Sequence, residues 1–225
     1  MNKPLRIVTN NAITTAEHSL YLNPAKYLVP PELRLCVFAH DNGFLCKVYY
    51  RRFMRLKPFI SNRAMVRDTY KEYIRYKFKQ EKYARKRLLV LGNDHDKLTF
   101  LTNDVNDNSH LLSRIHNTLT FIVKATSHIS PEIEDVEGLT VDNSYCRKIL
   151  KNLLTIEYEK QSKISHSKDP SEMYDELRIS FNYLQGDADS RVNNKSKSKM
   201  YSNSAVFREY DIFLVLLNET IGTML

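Results

Sequence analysis

The chain has 225 residues, 42% of them hydrophobic and 27% charged, which is enough for one sizeable core. The best apolar run, IFLVLL at residues 212–217, is about a third of the roughly 18–20 residues a membrane-spanning helix needs, so a spanning segment is excluded. The formal charge of +8 is uneven: residues 47–87 hold 15 Lys or Arg against three acids, leaving the remainder at a net −4. Such a concentration of cations suits phosphates, anionic lipid or an acidic protein partner, with a solvated helix face as the plain alternative.

In chain order, residues 1–40 contain Pro4, Pro24, Pro30 and Pro31 and show no sustained period. They read as an extended leader packed along the core. The first sixteen residues lack acids and carry Lys3 and Arg6, the flavour of a mitochondrial targeting segment. Asp41-Asn42-Gly43 offers capping chemistry for a helix whose stripe is Leu45, Val48, Tyr49, Phe53 and Leu56. Pro58 is expected to stop it. Ser61 is then placed to cap a longer helix reaching Arg87, with Val66, Tyr70, Ile74 and Phe78 on one side and Arg63, Arg67, Lys71, Arg75 and Lys79 on another. Lys47, Arg51 and Arg55 make a matching basic row on the first helix.

A short hairpin is expected near residues 88–101, around Gly92-Asn93-Asp94. Leu112, Ile115, Leu119, Ile122 and Val123 define a further helix ending near Pro131. Asp142 or Asn143 caps another, with Tyr145, Ile149, Leu153 and Ile156 inward. Ser171 after Pro170 opens a fifth, carrying Met173, Leu177, Phe181 and Leu184. Residues 186–204 have almost no apolar content and read as a mobile linker. Residues 205–225 then pack back as a terminal helix that buries Phe213, Leu214 and Leu217. The fold class is therefore all-α: an irregular bundle of about five to six helices in all, its basic part over residues 41–185 with the terminal helix packed on it.

Catalytic signatures are sparse. The five glycines are isolated, so no phosphate-cradling loop is encoded, and there is no nucleophile elbow or H-E-x-x-H pair. Asp94-His95-Asp96 could donate to a metal, but adjacent loop residues seldom converge on one ion, and a solvated turn is the expectation. Cys36, Cys46 and Cys146 are too dispersed for a zinc site or a disulfide framework. No cofactor is expected. Tyr49, Tyr50, Tyr70, Tyr73, Tyr76 and Tyr83 lie within the basic region, where they could stack on bases or line a core; helical spacing favours the core.

Four blocks resemble a known family: YYRRFMRLKPFISN (residues 49–62), MVRDTYKEYIRYKF (65–78), YCRKILKNLLTIEYEK (145–160) and LNETIGTML (217–225). Together they look like the fungal increased recombination centers protein 19 family. That resemblance implies a role in mitochondrial genome maintenance and sporulation, brings no catalytic residues, and implies a mitochondrial, matrix location. A looser similarity joins Tyr49-Tyr50-Arg51 with Arg75-x-x-Phe78-Lys79, which looks like the LYR motif of small mitochondrial helical proteins, although Tyr49 stands where leucine is expected. Those proteins bind acyl carrier protein through basic residues. The candidate partner-binding residues are Tyr50, Arg51, Arg55, Arg67, Lys71, Arg75, Phe78 and Lys79. The expected partner is an acidic protein, acyl carrier protein among the possibilities, with direct nucleic-acid binding as the alternative.

Overall fold

The structure is a computed structural model, and it describes residues 13–16, 19–22, 24–35, 42–92, 108–127, 142–184 and 195–225. It is dominated by helices, with one small hairpin that the sequence did not foretell. Strands β1 (Ile13–Ala16) and β2 (Ser19–Leu22) pair antiparallel, Ile13 opposite Leu22 and Ala16 opposite Ser19. Two short helices follow, α1 (Pro24–Tyr27) and α2 (Pro31–Leu35). The stretch read as extended is thus folded where it is described, and Leu22, Tyr27 and Val29 are buried in the main core.

Helix α3 (Asn42–Ile60) runs through Pro58 instead of stopping there. A proline in the last turn forfeits only its own amide bond, and the chain gains by keeping Phe59 and Ile60 packed on the core. Its inward face is Leu45, Tyr49, Phe53 and Leu56, as the periodicity requires. Ser61 does not cap the next helix. Its hydroxyl takes the amide of Arg63, and α4 (Ala64–Lys79) begins one residue later with no side-chain cap.

The long second helix expected to reach Arg87 is two helices. After α4, the amides of Gln80 and Glu81 both turn back to the Tyr76 carbonyl, and α5 (Tyr83–Leu91) sets off anew. No glycine or proline marks the break. At the break Lys77 and Glu81 form a buried ion pair, and Lys77 also donates to the Leu225 carbonyl at 3.3 Å. Residues 88–91 are helical, so the hairpin expected near 88–101 is absent from the part of it that is described. Residues 93–101, and with them His95, lie outside the described residues.

Helix α6 (Asn108–Thr126) buries Leu112, Leu119, Ile122 and Val123 against α3 and α7 (Asp142–Ser165). On α7 the inward row is Leu150, Leu153, Leu154, Glu157 and Lys160, while Tyr145, expected inside, is 59% exposed. Asp169 caps α8 (Pro170–Asp175), accepting the amides of Ser171 and Glu172, with Pro170 at the first position. A π-helical turn (Glu176–Ser180), Phe181 at φ +55° and a 3₁₀ turn (Asn182–Leu184) follow. They place Met173, Leu177, Phe181 and Leu184 in a second, smaller core, as their spacing suggested.

The last helix, α9 (Lys195–Ile221), begins inside the stretch read as a linker. Phe213, expected to be buried, is 53% exposed; the inward side carries Phe207, Asp211, Leu214, Val215 and Asn218. Beyond α9 the chain reverses at Gly222, φ +62°, a left-handed turn that suits glycine. Asn218 then holds the returning segment: its Oδ1 takes the Leu225 amide at 2.7 Å and its Nδ2 donates to the Leu225 carbonyl at 2.8 Å. Thr118 on α6 takes the Met224 amide at 2.7 Å. The block LNETIGTML is therefore a structural clamp. There are more helical segments than the five to six expected, because the second splits and two short ones precede the bundle.

Candidate interaction surface and the ionic interior

Helices α3 and α4 lie side by side and carry all eight candidate residues. Two of these belong to the interface between the helices. Tyr50 and Phe78 meet edge to face with ring centroids 5.5 Å apart, and Phe53 meets Phe78 at 5.6 Å. That contact positions the helices relative to each other. Arg67 is half-buried and points its guanidinium at the carbonyls of Ser61 and Asn62, 3.4 and 3.3 Å away, which ties down the turn.

The other five face outward to different degrees. Arg51, Arg55 and Lys79 are exposed, and among the described residues no ion pair reaches them. Arg75 is exposed with Glu72 at 3.2 Å, and Lys71 is half-buried with the same carboxylate at 3.7 Å. Arg75 and Lys79 share a recess of about 560 Å³ with Gln80, Gln161, Tyr174 and Arg178. Arg51 and Arg55 lie on α3 and are not among the residues that line it. The structure thus brings Arg75 and Lys79 together, and joins Tyr50 to Phe78. It leaves Arg51 and Arg55 as a separate row.

The tyrosines of this region follow the core reading. Tyr49, Tyr70, Tyr73, Tyr76 and Tyr83 are buried, and Tyr50 is half-buried, so their ring faces are not presented to a stacking base.

Sequence reasoning missed a second charged assembly, which lies in the interior against the smaller core. Asp211 on α9 receives Lys86 from α5 at 2.9 Å, Lys160 from α7 at 2.6 Å and the hydroxyl of Tyr183. Lys160 also reaches Glu157 at 3.6 Å, and Glu157 accepts from Arg178, whose own carbonyl takes the Tyr76 hydroxyl at 3.0 Å. Arg178 sits 4.5 Å over the Tyr76 ring. Beside it, Glu219 is gripped by both ends of Arg114, 2.6 and 3.3 Å, with Arg87 at 3.1 Å and the Tyr83 hydroxyl at 3.1 Å.

The electrostatics follow from burial and pairing. Burial alone pushes the Asp211 carboxyl up, but the ammonium groups of Lys160 and Lys86 more than offset it and hold the carboxyl well below the usual range. Burial likewise opposes the Glu157 charge, and Arg178 with Lys160 wins, so Glu157 is also held low. For Lys160 burial dominates and its ammonium is pushed down, whereas Asp211 keeps Lys86 above its ordinary value despite burial. One signal was available in the sequence: Glu157 and Lys160 continue the Leu150, Leu153, Leu154 row at spacings of three, and Asp211 and Asn218 flank Leu214 and Val215 in the same way. Charged residues standing in a core row announce partners without naming them.

Among the described residues no group of three His, Cys, Asp or Glu is placed to hold a metal, and no helix is long and apolar enough to cross a membrane. The arrangement defines a helical bundle braced by an interior ion network, with an outward basic row on α3 and α4. The chain belongs to the family described as increased recombination centres protein 19, which matches residues 7–225. It is 40% identical to increased recombination centers protein 19 of Vanderwaltozyma polyspora over 98% of this chain and 97% of that protein. The Zygosaccharomyces rouxii protein of that name is 40% identical over 97% and 98%, and a Saccharomyces cerevisiae one is 38% identical over the whole of both chains. No solved structure matches.

Proposed function

We propose that the chain is a non-enzymatic protein of the mitochondrial matrix that supports maintenance of mitochondrial DNA and sporulation, and with them genome integrity. It does so by docking an acidic protein partner through the cations of α3 and α4. One observation carries the docking. Arg51, Arg55 and Lys79 stand at the surface with no ion pair among the described residues, while Lys86, Lys160 and Arg178 inside the same chain each reach a carboxylate. Exposed cations left without a counterion hold charge available to a partner. The name shared by the relatives ties them to recombination and supports the genome-integrity part of this reading.

The test is binding by the purified chain to acyl carrier protein and, separately, to duplex DNA, in the parent, in the Arg51→Glu, Arg75→Glu double variant, and in the corresponding double lysine variant. Specific docking on an acidic protein is expected to be lost in both variants, because lysine cannot reproduce the paired bonds of a guanidinium. Phosphate binding would survive the lysine variant with steep salt dependence, which is the direct nucleic-acid reading. Unchanged binding and respiratory growth in the charge-reversed variant would overturn both readings.

A further inference from the structure

Helices α4, α7 and α8, with the π-helical turn after α8, form the walls of the recess of about 560 Å³ that holds Arg75 and Lys79. Ligand sites run from about 300 to 1,000 Å³, so the recess has room for a small molecule and not merely for an ion. Arg75, Lys79 and Gln80 are exposed, while Tyr76 and Arg178 in the same wall are buried. The recess therefore joins the surface to the edge of the ionic interior.

Its charges do not cancel. Arg178 is answered by Glu157, and that pair is closed within the interior. Nearer the surface, Glu72 lies 3.2 Å from Arg75 and 3.7 Å from Lys71, so one carboxylate serves two cations. Lys79, one helical turn beyond Arg75, has no carboxylate among the described residues. Lys71, Arg75 and Lys79 set against Glu72 leave two positive charges on this side of α4. A carboxylate or a nucleic-acid phosphate brings one negative charge, whereas a phosphomonoester brings about −1.5 to −2 at pH 7, with three acceptor oxygens. The excess thus matches a single phosphomonoester, which an arginine fork and a lysine ammonium are suited to hold.

The rest of the wall is polar and uncharged. Tyr174 donates its hydroxyl to the side-chain oxygen of Gln80, which leaves the Gln80 amide nitrogen without an acceptor among the described residues. Ser165 donates to the Gln161 carbonyl at 2.9 Å, and its oxygen can still accept. The half-buried side chain of Gln161 has no hydrogen bond among the described residues. Amide groups that can both donate and accept suit a body carrying hydroxyls, and a hydrocarbon there would leave them unpaired. We propose that this recess binds a small sugar phosphate, its phosphomonoester on Arg75 and Lys79 and its hydroxyls on Gln80 and Gln161. The site goes beyond the docking of an acidic protein: it shares Arg75 with that surface and uses neither Arg51 nor Arg55.

Calorimetric titration of the full chain with ribose 5-phosphate tests this. Saturable binding is expected, at least about tenfold tighter than that of inorganic phosphate, with no detectable binding of ribose, because neither fragment meets both parts of the recess. Arg75→Gln and Lys79→Gln, both at exposed positions, should keep the melting temperature and each weaken the sugar phosphate at least about tenfold. Gln161→Leu should weaken it by up to about tenfold, the worth of one hydrogen bond, with a smaller effect on inorganic phosphate. Arg51→Glu, which bears on protein docking, should bind the sugar phosphate as the parent does, so failure of docking and failure of this site are read separately. No saturable binding of ribose 5-phosphate overturns the proposal. So does equal affinity for inorganic phosphate, or unchanged affinity in Arg75→Gln, Lys79→Gln or Gln161→Leu, or loss of binding in Arg51→Glu.

Discussion

Lys79 and Lys86 are seven residues apart and chemically identical, yet one is exposed at the end of α4 and the other is sealed inside α5 against Asp211. The basic region as a whole divides in the same way. Arg51, Arg55, Arg63 and Lys79 face solvent, whereas Lys77, Lys86 and Arg87 are drawn into the interior by Glu81, Asp211 and Glu219. Two of those acids come from α9, which belongs to the part of the sequence carrying the excess of negative charge. Lys86 and Asp211 are separated by 125 positions. A charge imbalance read along a sequence is therefore partly erased by folding, and only the unerased part is available to a partner. The interior part serves architecture: it pins α5, α7, α9 and the turns after α8 to one another.

The largest effects are expected where that interior is broken. Asp211→Asn leaves Lys86 and Lys160 buried without their shared carboxylate, and removing one partner of a buried ion pair costs about 3–5 kcal/mol. Urea unfolding should show that loss. Replacing the group together, Asp211→Leu with Lys86→Met and Lys160→Met, should recover most of it, because apolar replacements of a whole buried pair are often neutral or better. A loss under about 1 kcal/mol in Asp211→Asn, within the range of exposed pairs, would show that the network is solvated and the comparison false. The pH dependence has a fixed sign. Asp211 and Glu157 are held below ordinary carboxylate values, so the unfolded chain binds more protons in acid. Their stabilisation is complete above the unfolded-state values, near pH 4, and is lost as the pH falls through the lower folded values. Unfolding free energies taken from pH 6 down to pH 3 should decline, and less steeply in Asp211→Asn.

How much of this was legible in the sequence depended on what each residue's position encodes. The 3.6-residue period found the inward stripes of α3 and α6 and the inward residues after Pro170, because burial of one helix face is a local pattern. It misjudged Tyr145 and Phe213, which stand next to inward rows instead of on them: in α9 the row runs through Asp211, Leu214, Val215 and Asn218, and two of those four are polar. Scoring only apolar residues rotates such a helix. Pro58 reads as a stop because its distance from the helix end is not visible in the sequence, and the break at residues 80–82 carries no glycine or proline to mark it. Of the eight candidate residues, Tyr50, Arg51, Arg75, Phe78 and Lys79 follow the LYR resemblance, and Arg55, Arg67 and Lys71 rest on charge and spacing. Of them, Tyr50 and Phe78 proved to be packing residues and Arg67 a brace on the turn it follows. Which carboxylate answers which buried cation is a property of the assembled bundle, and no local pattern carries it.

The two faces of α9 give a second, somewhat smaller contrast. Leu214 is 3% exposed and its neighbour Phe213 is 53% exposed. Leu214→Ala should cost about 2–5 kcal/mol, the range for truncating a buried leucine. Phe213→Ala should stay within about 0.5 kcal/mol, although phenylalanine is the larger residue. Thermal and urea unfolding of the pair measures the difference. If Phe213→Ala proves the more damaging, the helix is rotated about its axis and Asp211 cannot face Lys160.

The smallest expected effects fall on the outward cations, and their smallness is what makes them informative. Arg51→Glu, Arg55→Glu and Lys79→Glu each reverse a charge that no described ion pair uses, so folding should change by no more than about 0.5 kcal/mol. Arg75→Glu should cost slightly more, up to about 1 kcal/mol, because it removes the 3.2 Å contact to Glu72 and sets two carboxylates one helical turn apart. Added salt should shrink that last cost, since both groups are at the surface and are screened within about 10 Å at 0.1 M. Lys86→Glu is the control: the same reversal seven residues beyond Lys79 places a third carboxylate beside Asp211 and Glu157 and should prevent folding. Circular dichroism melts of the five variants at two salt concentrations test the division between surface and interior directly. A loss above about 2 kcal/mol in Arg51→Glu or Lys79→Glu would mean that these side chains are structural anchors, and the outward row would no longer be a place for a partner to bind.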